Sequence, residues 1–176
     1  MQALNIDGVS RDLSHLDSFV VTLDGKGRDG ADLRVLVHLG LHTISRACRA
    51  GETANMCDEQ DRPRIFCEDR YAYSLGLKEI STRMILEKYF CWESKDRNRV
   101  MNYAIVDIAP GRMAQQQDGE HQVIFFYLHP ADGNLADVNL HITSCYRRHQ
   151  QFSSKARRYD THYLLRKCLF QNTRLP

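Results

Sequence analysis

From Leu33 to His42 the residues Leu33, Val35, Val37, Leu39 and Leu41 alternate with Arg34, Leu36, His38, Gly40 and His42. A period of two places successive side chains on opposite faces of a strand, so this segment can bury one side and must leave the other, with both histidines, on the less apolar side. Ahead of it lies a short β-type run, Phe19 to Leu23, and between the two sits Asp24-Gly25-Lys26-Gly27-Arg28-Asp29-Gly30. Glycines relieve the positive φ angles of a turn, so the unit predicts a hairpin with a long connection.

Three further β-type runs, roughly Val100 to Ile108, Gln122 to His129 and Val138 to Tyr146, are separated by turn-rich segments and predict a meander. Between hairpin and meander, Tyr73, Leu77, Ile80 and Met84 step by four, three and four, the spacing of one buried stripe on a helix from about Arg70 to Tyr89. Ala156, Tyr159 and Tyr163 predict a closing helix over roughly Ser153 to Phe170. Residues 43–69 read as an irregular excursion. The expected fold is therefore α+β: a curved, mostly antiparallel sheet of four to five strands packed on a main helix, with a C-terminal helix, in a single domain over residues 1–176.

The chain has 176 residues, 43% of them apolar and 26% charged, enough to bury a core. Its apolar runs fall short of the roughly 20 residues that cross a bilayer, and Asp7, Arg11, Asp12 and Asp17 interrupt the N-terminal segment where a secretory signal needs an apolar centre. A cytoplasmic protein without membrane contact is expected. Its six cysteines show no dense spacing and no CxxC pair, so reduced thiols are expected.

Charge is distributed unevenly. From Arg147 onward eight basic residues face Asp160 alone, an excess of +7, while the rest of the chain stands at −5. A basic tail on an acidic body suits RNA or another polyanion, and a solvated helix face docked on acidic neighbours has the same composition. The residues expected to bind nucleic acid are Arg147, Arg148, Arg157, Arg158, Arg166 and Lys167, with Lys155, Arg158, Arg166 and the ring of Tyr159 sharing one helical surface.

No GxxxxGK, GxGxxG, HExxH or GxSxG occurs, and no cofactor is expected. His38, His42 and a thiol such as Cys48, Cys57 or Cys67 offer zinc-type ligands, but residues four apart on a strand lie about 13 Å apart, too far for one ion unless Gly40 bends the chain. No metal site is expected. Metal-free acid–base chemistry on RNA needs a base, a cation and hydroxyls that position the phosphate. His42, Arg70, Ser144 and Tyr146 supply these types, with His141 and Thr143 on the opposite face of the last strand. Ser144 and Tyr146 continue the face of Val138, Leu140 and Ile142 and are expected at the rim of a cleft where the apolar side runs out. The same residues also have ordinary roles, Arg70 pairing near a helix start, Tyr146 half-buried with a wet hydroxyl and Ser144 in a turn.

Several segments form an ordered series: Val37-His38 through His42; Cys67 with Arg70-Tyr71 and Ser74-Leu75; Asn102-Tyr103; Val123-Ile124-Phe125-Phe126-Tyr127-Leu128; and Leu140-His141-Ile142-Thr143-Ser144-Cys145-Tyr146. Over roughly residues 19–150 the series resembles a bacterial family of small mobile-element and plasmid-borne proteins described as stationary phase growth adaptation proteins. It departs at Cys145, where a smaller residue such as Ala is expected, and in the basic extension after Arg147. More distantly, a strand histidine, a helix arginine, antiparallel strands and a final Ser-x-Tyr are similar to the metal-independent ribonucleases typified by barnase, EndoU, colicin and RelE-like toxins. That similarity implies His42 as base or acid, Arg70 as phosphate clamp, and Ser144 and Tyr146 as phosphate positioners. The expectation is a protein of a mobile-element stress or conflict system, a toxin-like ribonuclease with a cognate antitoxin or partner protein; the alternative is a non-catalytic module that binds protein or nucleic acid.

Overall fold

The computed structural model describes residues 3–95, 101–106, 118–151 and 157–175. Its strands and helices in chain order are β1 (Leu4–Ile6), β2 (Val9–Arg11), β3 (Phe19–Leu23), β4 (Leu33–Leu39), β5 (Ser45–Ala47), β6 (Met56–Cys57), β7 (Pro63–Phe66), α1 (Glu68–Ser74), α2 (Leu77–Leu86), β8 (Phe90–Lys95), β9 (Met101–Val106), β10 (Gly119–Pro130), β11 (Val138–Gln150), β12 (Arg158–Asp160) and α3 (Thr161–Gln171). The α+β class holds, and among the described residues no helix is long and apolar enough to cross a membrane.

The main sheet has seven strands in the order β12-β8-β9-β10-β11-β4-β3, more than the four to five expected. The hairpin β3–β4 and the meander β8–β9–β10–β11 are antiparallel, whereas β11 joins β4 in parallel, His141 beside His38. A parallel neighbour requires a long crossover, and everything from Gly40 to Asp137 is that crossover. The excursion over 43–69 is not wholly irregular. It folds a small second sheet, β5-β7-β6, set beside the end of β4.

One face of the main sheet is the core. Leu33, Val35, Val37, Leu39, Ile124, Phe126, Leu128, Val138, Leu140 and Ile142 meet Leu77, Met84 and Ile85 of α2 and Leu164, Leu165 and Cys168 of α3. Each such side chain contributes about 1.5–3 kcal/mol on leaving water, which selects the register that keeps the alternation facing the helices. The expected helix stripe is present, Leu77 and Met84 fully buried and Tyr73 and Ile80 partly so. The expected single helix is instead two. Ser74 closes α1 by donating to the Tyr71 carbonyl at 2.8 Å, and Gly76, a poor helix former, separates it from α2.

The C-terminal helix starts at Thr161, later than expected, because the Asp160 side chain accepts from the backbone N–H groups of His162 and Tyr163 and caps it there. Arg158–Asp160 form an edge strand on β8 instead of a first helical turn, since the open edge supplies backbone partners. Tyr159 therefore belongs to a strand, and Ala156 and Lys155 lie outside the described residues. Thr161 Oγ1 donates to the Met84 carbonyl (2.9 Å) and His162 Nε2 to that of Ile85 (2.6 Å), satisfying carbonyls left over at the end of α2.

Leu75 and Leu77 flank the break and differ only in burial, 54% against 0% exposed. Leu77→Ala should lower the unfolding free energy by about 3 kcal/mol in urea titration, and Leu75→Ala by less than about 0.5 kcal/mol. Similar losses for the two would contradict this packing.

Candidate functional site

The end of β4 is where the expected site residues gather. Gly40 donates its N–H to the Ile142 carbonyl (3.0 Å), the last rung beside β11, and the chain then leaves the sheet in a single 3-10 turn, Leu41–Thr43. A Cβ on Gly40 would stand 3.4 Å from both the Ile142 carbonyl oxygen and Glu59 Oε1, a close but ordinary contact, so the turn packs tightly against β11 here. His42 consequently lies beyond the strand, in the turn, and is not on one strand face with His38.

The side chain of His42 meets Asp58 instead. His42 Nε2 is 2.8 Å from Asp58 Oδ2, and the same oxygen accepts from Arg62 Nε at 2.7 Å. Asp58 Oδ1 accepts from the backbone N–H groups of Gln60 and Arg62, each at 3.0 Å, an Asx-type turn of the β6–β7 connection. Burial alone would raise this carboxyl, whose side chain has no exposed area, but the four hydrogen bonds outweigh it and hold Asp58 well below the usual carboxylate range. Asp58 and Arg62 were not among the expected site residues. The turn-forming Asp58-Glu59-Gln60-Asp61-Arg62, with an i,i+4 carboxylate–guanidinium pair, was the signal that could have found them.

Arg70 from α1 reaches the same place from the other side. Its Nη1 donates to the carbonyls of His42 (3.0 Å) and Ser45 (2.5 Å), and its guanidinium lies 4.6 Å from the centroid of the Tyr146 ring. Burial pushes its pKa down, but a guanidinium remains charged. His42, Arg70 and Tyr146 are thus brought together, while among the described residues no hydrogen bond joins Ser144 to any of them. Arg70 is committed to two carbonyls and a ring, which suits a staple between α1 and the 3-10 turn.

A bulge decides where Ser144 and Tyr146 point. Phe125 pairs with Ser144 and Phe126 with Ile142, which leaves Thr143 without an opposite number, and its Oγ1 donates to the Phe125 carbonyl at 3.1 Å. The extra residue reverses the alternation. Cys145, not Ser144, continues the face of Leu140 and Ile142 into the core, where its thiol contacts the Thr43 carbonyl at 3.5 Å and burial pushes it up to about 12. Ser144 and Tyr146 fall on the opposite face, with Trp92, Val123 and Phe125. The expectation that they continue the Val138–Ile142 face is therefore corrected.

That second face carries two ring columns. In one, Arg70 lies over Tyr146, Tyr146 stacks on Phe125 at 5.3 Å, and Arg148 lies 5.3 Å over Phe125. In the other, Ser18 Oγ meets His38 Nδ1 (2.9 Å), His38 stacks on His141 (4.5 Å), His141 on Tyr127 (4.6 Å), and Arg174 covers Tyr127 at 4.5 Å. Burial, then the nearby His38, His129 and Arg174, push His141 down to about 4.

The basic residues do not share one surface. Arg148 and, by its pairing with Trp92, Arg158 belong to the ring-bearing face; Arg147 lies on the other side of β11, 4.0 Å from Glu120; Arg166 and Lys167 ride on α3; Arg157 is exposed just before β12. Among the described residues no three His, Cys, Asp or Glu side chains come together as metal ligands, and all six cysteines are free.

Asp58→Ala strips His42, Arg62 and two turn N–H groups of one buried acceptor and should cost about 3 kcal/mol in denaturant titration. An unchanged midpoint would contradict the turn described above. Because the folded pKa of His141 is below its unfolded value near 6.5, its contribution is fully present above about pH 6.5 and is lost as pH falls toward 4, a loss of about 1–2 kcal/mol. His141→Phe keeps a ring in the column without the titration and should flatten stability between those pH values; an equally steep profile would place the acid sensitivity elsewhere.

Comparison with known proteins finds no match among curated proteins and none among solved structures. A family model does match residues 3–169, spanning the segments from 19 to 150 that carry the resemblance noted above and extending beyond them at both ends. On that match, which covers nearly the whole chain, the protein belongs to a bacterial family, the YjaZ family.

Proposed function

We propose that this protein is a single-stranded RNA-binding module of a bacterial mobile-element stress or conflict system, and that the strand lies along the ring-bearing face of the main sheet. The observation that carries the reading is the pair of ring columns ended by guanidinium groups. A guanidinium stacked on a ring is held in place with little further loss of freedom, and its N–H edges stay available to phosphate oxygens. Arg174 over Tyr127 has that arrangement; Arg148 over Phe125 donates Nε and Nη2 to Gln150 Oε1 and keeps Nη1 for a phosphate, and Arg158 lies on the same face on β12, three strands beyond β10. His38, His141, Tyr127 and Tyr146 are half-buried, so their edges reach the surface and offer contact to unpaired bases.

A second reading is cleavage of the bound strand. It is favoured by one observation, the 2.8 Å contact of His42 with a buried carboxylate, which orients an imidazole as a general base requires. In that reading Arg62, whose side chain is 58% exposed and whose Nη2 lies 3.3 Å from His42 Nε2, replaces Arg70 as the phosphate-directed cation. Arg70 is half-buried at the junction, its Nη1 donating to two carbonyls and its guanidinium lying over the Tyr146 ring.

Fluorescence anisotropy with a 12-nucleotide single-stranded RNA tests the binding. Affinity should fall with salt by a slope of about −0.7 per phosphate contact, and the double variant Arg148→Gln, Arg174→Gln should flatten that slope by one to two contacts while unfolding normally. Absence of salt-sensitive binding in the unaltered protein would defeat the proposal. Induction in a bacterium separates the two readings: RNA fragments that disappear with His42→Ala support cleavage, and intact RNA with retained binding supports the module alone.

A further inference from the structure

On the helix side of the molecule, away from the ring columns, α3 borders a cavity of about 550 Å³. Four cations line it from three parts of the chain: Lys26 from the β3–β4 turn, Lys88 from the turn after α2, and Arg166 and Lys167 from α3. None of the four forms an ion pair among the described residues. The one carboxylate in the wall, Asp160, is engaged by the N–H groups of His162 and Tyr163 as the cap of α3. Against this single negative charge the four cations leave an excess of three positive charges in the wall, and an anion of matching size relieves their mutual repulsion.

Two further features point to a ligand. Lys88 adopts φ 57°, the left-handed conformation at the residue after a helix end where glycine is favoured. A lysine there holds a cation at the cavity against a backbone preference, as strained residues at binding sites do. His162 in the wall donates through Nε2 to the Ile85 carbonyl, which fixes its ring at the start of α3. Tyr163, 55% exposed, adds an aromatic ring, and Phe170 with Arg166 5.5 Å over its ring closes the far wall.

We infer that this cavity binds a nucleoside diphosphate or a ligand of that chemistry, its phosphates held by Lys26, Lys88, Arg166 and Lys167 and its base against Tyr163. A volume of about 550 Å³ lies in the range of small-ligand sites, and lysines as point charges with one arginine suit a diphosphate. The site does not depend on the RNA-binding face, which lies across the sheet.

Isothermal titration calorimetry of the full chain with ADP, and with pyrophosphate as the baseless probe, tests this. ADP should bind with a micromolar dissociation constant at low salt and about tenfold more tightly than pyrophosphate, a difference that Tyr163→Leu removes. Lys88→Gly is the decisive variant, because relief of the left-handed backbone should leave its melting midpoint equal or higher while ADP binding falls about tenfold. Arg166→Gln should weaken ADP similarly, and Tyr127→Ala, on the other face, should not change it. No ADP binding below 10 mM, roughly the limit of useful affinity on the free-energy scale, would overturn the inference. So would equal affinities for ADP and pyrophosphate, or Lys88→Gly and Arg166→Gln variants that bind as the parent does.

Discussion

Strand β11 is the element on which the rest depends. Its parallel pairing with β4 joins the first hairpin to the meander, and its antiparallel pairing with β10 runs from Gly119↔Gln150 to Pro130↔Val138. Each ladder alone is a small sheet with one half-covered face. Joined, they present ten large apolar side chains to α2 and α3 as a continuous surface, and the hydrophobic term scales with that area. Because β4 stops at Leu39 while β11 continues to Gln150, the far half of β11 has an edge that needs cover. The 3-10 turn at Leu41–Thr43 and α1 supply it, with Arg70 tying the turn to the helix through the carbonyls of His42 and Ser45. Placed here, the arginine satisfies carbonyls that a buried turn would otherwise leave without donors.

The bulge at Thr143 has the largest consequence of any single residue. By reversing the alternation it assigns Cys145 to the core and Ser144 and Tyr146 to the second face, where Tyr146 meets Phe125 and Arg70. The His42–Asp58–Arg62 cluster and the Tyr146–Phe125 column therefore both start at one junction, since Gly40 donates the rung to Ile142 that ends the parallel ladder and Thr143 follows it on β11. The buried Asp58 stays ionised because three of its four donors are supplied locally by a five-residue turn, so this charge needs no long-range partner beyond His42.

Charge follows the fold and not the chain. The +7 excess after Arg147 is a property of the linear sequence, but alternation along β11 separates Arg147 from Arg148, and β12 and α3 carry Arg158 and Arg166 to opposite sides of the sheet. One basic tail thus becomes two basic regions. The one on α3 is completed by Lys26 and Lys88, residues distant in sequence that the tail's composition could not announce.

The sequence by itself determined the α+β class, the β3–β4 hairpin, the order β9–β10–β11 of the meander and the apolar stripe of the main helix, because each is written in local periodicity that a strand or helix must obey. Tertiary structure alone decided the seven-strand count, the parallel β4–β11 contact, the break at Gly76 and the start of α3 at Thr161, since edge pairing and caps depend on neighbours remote in the chain. It likewise decided that Ser144 faces away from the core. A strand's period of two is readable only while the register is unbroken, and one inserted residue, Thr143, exchanges the faces of everything beyond it.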